Sequence, residues 1–508
     1  MSVRKSQSIW ESLAEPQSVL AIFLVYCLVH LFVRVSLSPK FTLDESEQML
    51  FSQSLQWGYR FRHPPLLTWL TWATLTGTGT NRAAFFFLKY LLMGFGLAAY
   101  FAAARIVIRD VRLAALSTFA LLTTFVMGYL PHIDLMHTVL LASMLAAYLW
   151  ADARVLTRGR WLDYILLGVI TGLGILSKYI FVVLPLAMAI GTALTPSLRA
   201  RLKLGPLLAA LLIAVAIVAP YAWWATTHEY SLFALAKTIT KGTGPSFAPL
   251  GWLKGAGDLV VALIGAVVPA VILFPVLYWR ACKTLPAESG GGEDRDWLRL
   301  YEIAMISGAL MMLIAVFFIG TENFKARWMH QVTMPLFIWF FLRVKLAGDY
   351  ERSNKILAGI ALAFALAVVG ARFWIYRTTG ETCRVCREHW PMQSYAQAFR
   401  AAGFAHGTVV AATYDLGGNL RYVMQDSRIV TPGYPDSVFG PPQNGECLLV
   451  WEGKKDMPAE LKAYVSDVLH ADLGKTLARG DVAATLLTTK NRRDTMSYVL
   501  LQGAGACR

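Results

Sequence analysis

Apolar runs close to 20 residues long recur along most of this 508-residue chain. The hydrocarbon core of a bilayer is roughly 30 Å thick, so a helix needs about 20 apolar residues to cross it. Since 56% of all residues are hydrophobic, a soluble enzyme is excluded. The sequence predicts a polytopic α-helical membrane protein with about 11 transmembrane helices. The runs lie at residues 19–37, 83–104, 113–129, 136–151, 162–176, 179–194, 206–224, 257–279, 300–320, 328–344 and 355–375.

Basic residues gather in every second loop between these runs. Cytoplasmic loops carry an excess of Lys and Arg, so we expect these loops and the N-terminus to be cytoplasmic. The formal net charge of +15 on so apolar a chain favours anionic lipid headgroups as partners. We predict no nucleic-acid partner, because no basic run alternates with aromatic residues.

Two domains follow from this layout. Residues 1–375 form the transmembrane module, and its first outer loop, 38–82, carries amphipathic helices. After an odd number of crossings, residues 376–508 are extracytoplasmic, and we expect a small α/β domain there. Its predicted strands are 407–412, 447–451 and 496–501, and its predicted helices are 393–402 and 459–469.

The first outer loop holds acids followed by cations. Asp44 and Glu45 come directly after the first crossing, and the cations and a tyrosine follow within twenty residues. Exposed acids are ordinary on a loop. Acids followed by cations at a membrane surface nevertheless suit a phosphorylated, membrane-borne substrate, because a carboxylate can accept a proton while cations hold the phosphate. The residues that follow the acids are Tyr59, Arg60, Arg62 and His63.

Asp134 lies in a very short outer loop between two apolar runs. A charge in such a place is costly, so it is usually functional or paired, and we place it among the substrate contacts together with Tyr59 and Tyr179. His132 and His137 flank Asp134, yet their spacing matches no strong metal motif. We therefore predict no firm cofactor and no metal ligand, and a divalent metal remains an open alternative.

Lys178 interrupts apolar sequence at the predicted outer surface. It is either an interfacial anchor or a phosphate-binding cation, and an outer-face lysine runs against the usual distribution of basic residues. Arg327 lies in another charged cluster at the predicted outer surface. This cluster either binds phosphate or is an ordinary solvated loop end.

Four cysteines lie in the predicted external tail: Cys383, Cys386, Cys447 and Cys507. An external compartment favours disulfides over a redox or zinc motif. Four cysteines allow three pairings, and the sequence does not choose among them.

The order of these motifs resembles the GT-C superfamily of membrane glycosyltransferases. The resemblance covers roughly residues 10–375 and is carried by Leu43-Asp44-Glu45, Arg62-His63-Pro64-Pro65-Leu66, Asp134 and the segment 172–179 that ends in Ser-Lys-Tyr. It is strongest to the bacterial branch with the lipid A aminoarabinose and galacturonic acid transferases and the protein O-mannosyltransferases.

The resemblance implies an inverting transfer of a sugar from a polyprenyl-phosphate-linked donor to a glycolipid or glycan acceptor. It implies that Asp44, or Glu45 beside it, is the catalytic carboxylate and that Lys178 binds the donor phosphate with Arg60, Arg62, His63 and Arg327. Aminoarabinose transferases carry a lysine before the Pro-Pro pair, where this chain has His63. The implied location is the bacterial inner membrane, with the C-terminal domain in the periplasm.

Three alternatives stay open at this point: an enzyme that acts on protein hydroxyls, a transporter of a lipid-linked substrate, and a non-catalytic assembly subunit. A transporter would be expected to carry charges at the membrane midplane and internal repeats. Here the ionisable residues gather at the outer surface, and the sequence has no visible repeat.

Overall fold

Long apolar helices dominate the computed structural model, which describes residues 9–60, 62–228, 249–283, 292–319, 323–383, 386–434, 436–453, 456–502 and 507. Within these ranges, six helices are long and apolar enough to cross a membrane. The predicted polytopic helical membrane protein is therefore confirmed. The six are Pro16–Ser36, Arg82–Ile108, Met136–Thr157, Leu204–Thr227, Gly292–Phe318 and Glu351–Thr379.

Bends account for part of the difference from the predicted eleven crossings. Val111–Leu122 and Phe125–His132 meet at 84°, and Gly251–Val267 and Ala270–Leu277 meet at 61°. If each bent pair is one crossing, the described residues contain up to eight. The count of about 11 is not confirmed.

Shorter helices complete the membrane module and begin the C-terminal part. Two of them are apolar, Trp161–Ser177 and Tyr179–Ala193. The remaining α-helices are Ile9–Ser12, Leu43–Phe51, Leu66–Thr78, Pro196–Arg199, Trp279–Lys283, His330–Ala347, Met392–Ala401, Tyr414–Val423 and Ala459–Ala463.

Small residues let the membrane helices approach closely. A Cβ atom on Gly96 would lie 2.7 Å from Ser143 Oγ and 2.9 Å from Ser143 Cα. Ser143 Oγ in turn donates a hydrogen bond of 2.7 Å to the Leu92 carbonyl. Close packing and interhelical hydrogen bonds replace the hydrophobic driving force that lipid removes. This contact joins Arg82–Ile108 to Met136–Thr157, the two helices that carry Lys89 and His137.

A five-stranded sheet follows the last long helix, in the order β2-β1-β3-β5-β4. β1 pairs in parallel with β2 and β3, and β5 runs antiparallel to β3 and β4. The predicted small α/β domain is thus confirmed. Its boundary at residue 375 stays a prediction, and the last long helix ends at Thr379. The strands are β1 Gly407–Ala411, β2 Arg428–Val430, β3 Glu446–Glu452, β4 Thr476–Thr485 and β5 Arg493–Leu501.

The C-terminal domain packs directly on Leu43–Phe51, which we call the acidic helix. Asp415 accepts hydrogen bonds from Lys40 Nζ at 2.9 Å and from Ser46 Oγ at 3.1 Å. Asn419 Oδ1 accepts one from the Phe41 N–H at 2.9 Å. Because these groups are buried, the domain fixes the position of the acidic helix.

Gly418 sets the distance between the acidic helix and the helix Tyr414–Val423. A Cβ at Gly418 would lie 1.9 Å from the Ser46 carbonyl oxygen, so Gly418→Ala must displace backbone. Overpacking of this kind costs about 1–3 kcal/mol. We expect a lower free energy of unfolding in thermal and chemical denaturation of the purified protein.

Gly417→Ala is the matched control, because its Cβ would meet only side-chain atoms at 3.4–3.5 Å. A glycine-to-alanine change inside a helix is otherwise favourable by about 1 kcal/mol. Equal stability of the two variants would contradict the close approach at Gly418.

Candidate active site

The acidic helix brings carboxylates to the end of the membrane module that meets the C-terminal domain. Asp44 and Glu45 lie in its first turn, where the helix dipole favours negative charge. Asp44 is half-buried, and Glu45 is fully buried. The two neighbouring acids therefore have different environments.

Glu45 is enclosed by cations. Its carboxylate pairs with Arg34 at 2.5 Å and with Lys89 at 2.9 Å, and it accepts the Thr42 N–H at 3.0 Å. Burial raises the pKa of Glu45, but the charges of Arg34 and Lys89 outweigh burial and hold that pKa well below its usual range. Glu45 is thus a permanently charged anchor for two membrane helices.

Asp134 meets the N-terminus of the acidic helix. Its Oδ1 accepts hydrogen bonds from the Asp44 N–H at 3.1 Å and from Thr42 Oγ1 at 3.0 Å. Burial, with the nearby charges of Asp44 and Glu45, raises the pKa of Asp134 to about 7. The structure therefore brings Asp44 and Asp134 together, although 90 residues separate them.

Lys178 lies at the break between the two shorter apolar helices. Its backbone is extended there, and its side chain is half-buried. Burial lowers the pKa of Lys178 to about 8, with Asp44 opposing that shift and Arg327 and Arg62 adding to it. The charges of Asp44, Arg62 and Arg327 therefore all act on Lys178, and we call Lys178, Arg62 and Arg327 the cation cluster.

Three other residues that were predicted to contact the substrates form hydrogen bonds with other protein groups. The Tyr59 hydroxyl donates to the Ser54 carbonyl at 2.7 Å within its own loop, and Tyr179 shares a hydrogen bond with Tyr221. Arg60 Nη1 donates to Glu47 Oε1 at 2.7 Å.

The histidines beside Asp134 point to different neighbours. His132 stacks on His30, with ring centroids 3.6 Å apart. His137 stacks on His63, with centroids 4.0 Å apart. The structure therefore does not bring together His132, Asp134 and His137 as the ligands of one metal ion, which was the open alternative in the sequence.

Glu47, His63 and His137 come together instead. One possible ligand atom from each lies within 4.8 Å of the others, and we call this group the His-Glu cluster. Burial, together with the charges of His137 and Lys178, lowers the pKa of His63 well below its usual value. Burial raises the pKa of Glu47, but the neighbouring His137 and Arg60 lower that pKa to about 2. Sequence reasoning missed this group because its members lie on three separate segments.

All four predicted disulfide cysteines are paired. The structure joins Cys383 to Cys386 and Cys447 to Cys507. The second disulfide links Cys447 in β3 to Cys507.

Comparisons with known proteins agree with this architecture. The sequence model of the family described as dolichyl-phosphate-mannose-protein mannosyltransferase matches residues 62–224. Two lipopolysaccharide core galacturonosyltransferases of Rhizobium johnstonii, RgtA and RgtB, are each 29% identical to this chain. The RgtA match covers 85% of this chain and 86% of the relative, and the RgtB match covers 91% and 93%.

The fold has a solved counterpart. The crystal structure of ArnT from Cupriavidus metallidurans in the apo state has a TM-score of 0.58 and 14% identity. The match covers 94% of this chain and 97% of that chain. The chain is a membrane glycosyltransferase. The resemblance to GT-C enzymes and the enzyme class that the sequence predicted are therefore confirmed, and the ArnT structure shares the fold.

Proposed function

We propose that this glycosyltransferase moves a sugar from a polyprenyl-phosphate-linked donor to an envelope glycan, with inversion at the anomeric carbon. One observation carries the proposal: Asp44 is a half-buried carboxylate that shares its surroundings with Lys178, Arg62 and Arg327. A base opposite a group of cations is the arrangement that sugar transfer from a phosphate requires.

The proposed step is a single displacement. The acceptor hydroxyl oxygen forms a bond to the anomeric carbon while the bond from that carbon to the phosphate oxygen breaks. Asp44 receives the hydroxyl proton, and polyprenyl phosphate leaves with the bonding electron pair. The cation cluster stabilises the charge that develops on the leaving phosphate.

Asp134 has a positioning role in this proposal. Its hydrogen bonds to Thr42 and to the Asp44 N–H fix the first turn of the acidic helix. Glu45 is not the base, because both of its oxygens are bound by Arg34, Lys89 and Thr42.

The names of RgtA and RgtB support a lipopolysaccharide acceptor. Lipid A, another envelope glycan or a protein hydroxyl are the alternatives, the last of them favoured by the mannosyltransferase family match. We place the site on the periplasmic face of the bacterial inner membrane, with the N-terminus in the cytoplasm. The two disulfides support an oxidising compartment for the C-terminal domain, which contacts the acidic helix and so lies on the same face.

A deletion strain tests the function. Mass spectrometry of its envelope glycolipids should show the loss of one sugar, and the wild-type gene should restore that sugar. A charge-assisted hydrogen bond is worth about 1.5–3 kcal/mol, so Lys178→Ala should slow transfer by roughly ten-fold or more. Lys490→Ala removes the same charge from an exposed position in the C-terminal domain and should transfer normally.

Unchanged envelope glycolipids in the deletion strain would argue against an envelope glycan acceptor. A loss of protein glycosylation in that strain would instead favour a protein acceptor. Full transfer by a folded Lys178→Ala protein would leave Lys178 as an interfacial anchor.

A further inference from the structure

The His-Glu cluster has features that the sugar-transfer step does not use. Glu47 lies on the acidic helix, His63 lies in the loop before Pro64, and His137 lies at the start of Met136–Thr157. These three segments converge so that the possible ligand atoms lie within 4.8 Å of one another. Glu47 and His137 are almost fully buried, and His63 is half-buried.

Both imidazole rings have unsatisfied nitrogens. Nδ1 of His63 and Nδ1 of His137 are buried and have no hydrogen-bond partner among the described residues. The rings lie face to face, 4.0 Å apart and tilted by 20°. A buried polar atom without a partner is destabilising, so a site that keeps two of them calls for an explanation.

Glu47 presents one oxygen to the histidines. Its Oε1 accepts hydrogen bonds from Arg60 Nη1 at 2.7 Å and from the Tyr434 hydroxyl at 3.1 Å. Its Oε2 lies 3.9 Å from His137 Nε2. Metal-binding carboxylates are commonly oriented by hydrogen bonds to the oxygen that does not bind the ion.

We propose that Glu47, His63 and His137 bind a divalent transition-metal ion, with Zn²⁺ the best match. Two imidazoles and one carboxylate are a donor set that Zn²⁺ accepts, and three protein ligands leave a fourth position open. Tetrahedral ligands at about 2.0–2.1 Å from the ion lie roughly 3.3 Å apart. The side chains would therefore draw closer than the separations seen here. Because an imidazole binds an ion in the plane of its ring, the half-buried His63 ring would also turn out of its stack on His137.

This assignment changes the expectation for His63. The resemblance to aminoarabinose transferases gave it a direct contact with the donor phosphate. In this proposal His63 would bind the ion instead, and three protein ligands would leave the ion's fourth position open. On the proposed function, an oxygen of the donor phosphate would occupy that position, and this second step rests on that function.

Metal binding is tested on the full-length purified protein without a polyhistidine tag and without donor or acceptor. Zn²⁺ alone, titrated by calorimetry, should bind at one ion per chain. Co²⁺ should give the visible absorption of a tetrahedral site with nitrogen and oxygen ligands. Loss of an outer partner of a metal ligand already weakens binding by about 10–100-fold. We therefore expect His63→Ala and His137→Ala to bind Zn²⁺ about 100-fold more weakly or worse.

His406→Ala is the control, because His406 is exposed on the C-terminal domain and lies outside the cluster. If His137→Ala does not fold, His63→Ala decides, since His63 is only half-buried. The proposal fails if the wild type binds no Zn²⁺ at micromolar concentration, or if His63→Ala binds it as the wild type does. The assay contains no sugar donor, so its outcome is independent of whether the proposed transfer is correct.

Discussion

Asp44→Asn should abolish sugar transfer while leaving the protein folded and able to bind its donor. Asparagine keeps the shape and hydrogen-bonding capacity of the side chain but cannot accept the proton of the acceptor hydroxyl. General base assistance is worth about 10²–10⁴-fold in rate, so turnover should fall by that factor. The hydrogen bond to Asp134 comes from the Asp44 main chain and is kept in the variant.

The measurement separates binding from chemistry. Donor binding is followed by calorimetry with a short-chain polyprenyl-phosphate sugar, and transfer is followed by mass spectrometry of the acceptor under single-turnover conditions. Asp426→Asn, at an exposed carboxylate of the C-terminal domain, is the matched control and should transfer at the wild-type rate. Normal turnover by a folded Asp44→Asn protein would rule out Asp44 as the base.

The membrane class and the C-terminal fold could be predicted because they depend on local patterns. Apolar length identifies crossings, and short β-branched runs such as that around Val409 identify strands. The number of crossings could not be predicted, because hydropathy does not show that Leu122 and Phe125 flank a bend of 84°. A window of apolar residues looks the same whether the helix is straight or bent.

The gathering of charges in the loops between the apolar runs was predictable, but the pairing among them was not. Arg34 and Lys89 each interrupt an apolar run, and a charge in such a position indicates a buried partner. The sequence contained this evidence, yet nothing in it identified Glu45 as the partner of both. Pairing of that kind depends on how Pro16–Ser36 and Arg82–Ile108 pack, which only the tertiary structure shows.

The His-Glu cluster could not be predicted from the sequence for the same reason. Glu47 follows Asp44 by three residues, and His137 follows Asp134 by three. Glu47 lies one turn after Asp44 on the acidic helix, and His137 lies in the first turn of the helix that follows Asp134. The meeting of Asp44 with Asp134 therefore brings the second pair close as well. One long-range contact, Asp44 N–H to Asp134, would have been enough to predict the other.

Glu45→Gln should destabilise the protein strongly, in contrast to Asp44→Asn. The substitution removes the charge that pairs with both Arg34 and Lys89, and it leaves two buried cations without this carboxylate. Breaking a buried ion pair by removing one partner typically costs 3–5 kcal/mol. We expect the free energy of unfolding in detergent to fall by about that amount. The transfer rate per folded molecule should stay far above that of Asp44→Asn.

A double-mutant cycle with Lys89→Met distinguishes a broken ion pair from general damage. If Glu45 and Lys89 stabilise each other, the double variant should be more stable than the sum of the two single losses predicts, because methionine removes one of the stranded cations. Glu460→Gln, at an exposed carboxylate, is the control and should change stability by less than about 0.5 kcal/mol. Additive losses of stability would show that Glu45 and Lys89 do not stabilise each other. Wild-type stability of Glu45→Gln, combined with complete loss of transfer, would make Glu45 the base and Asp44 the residue that orients it.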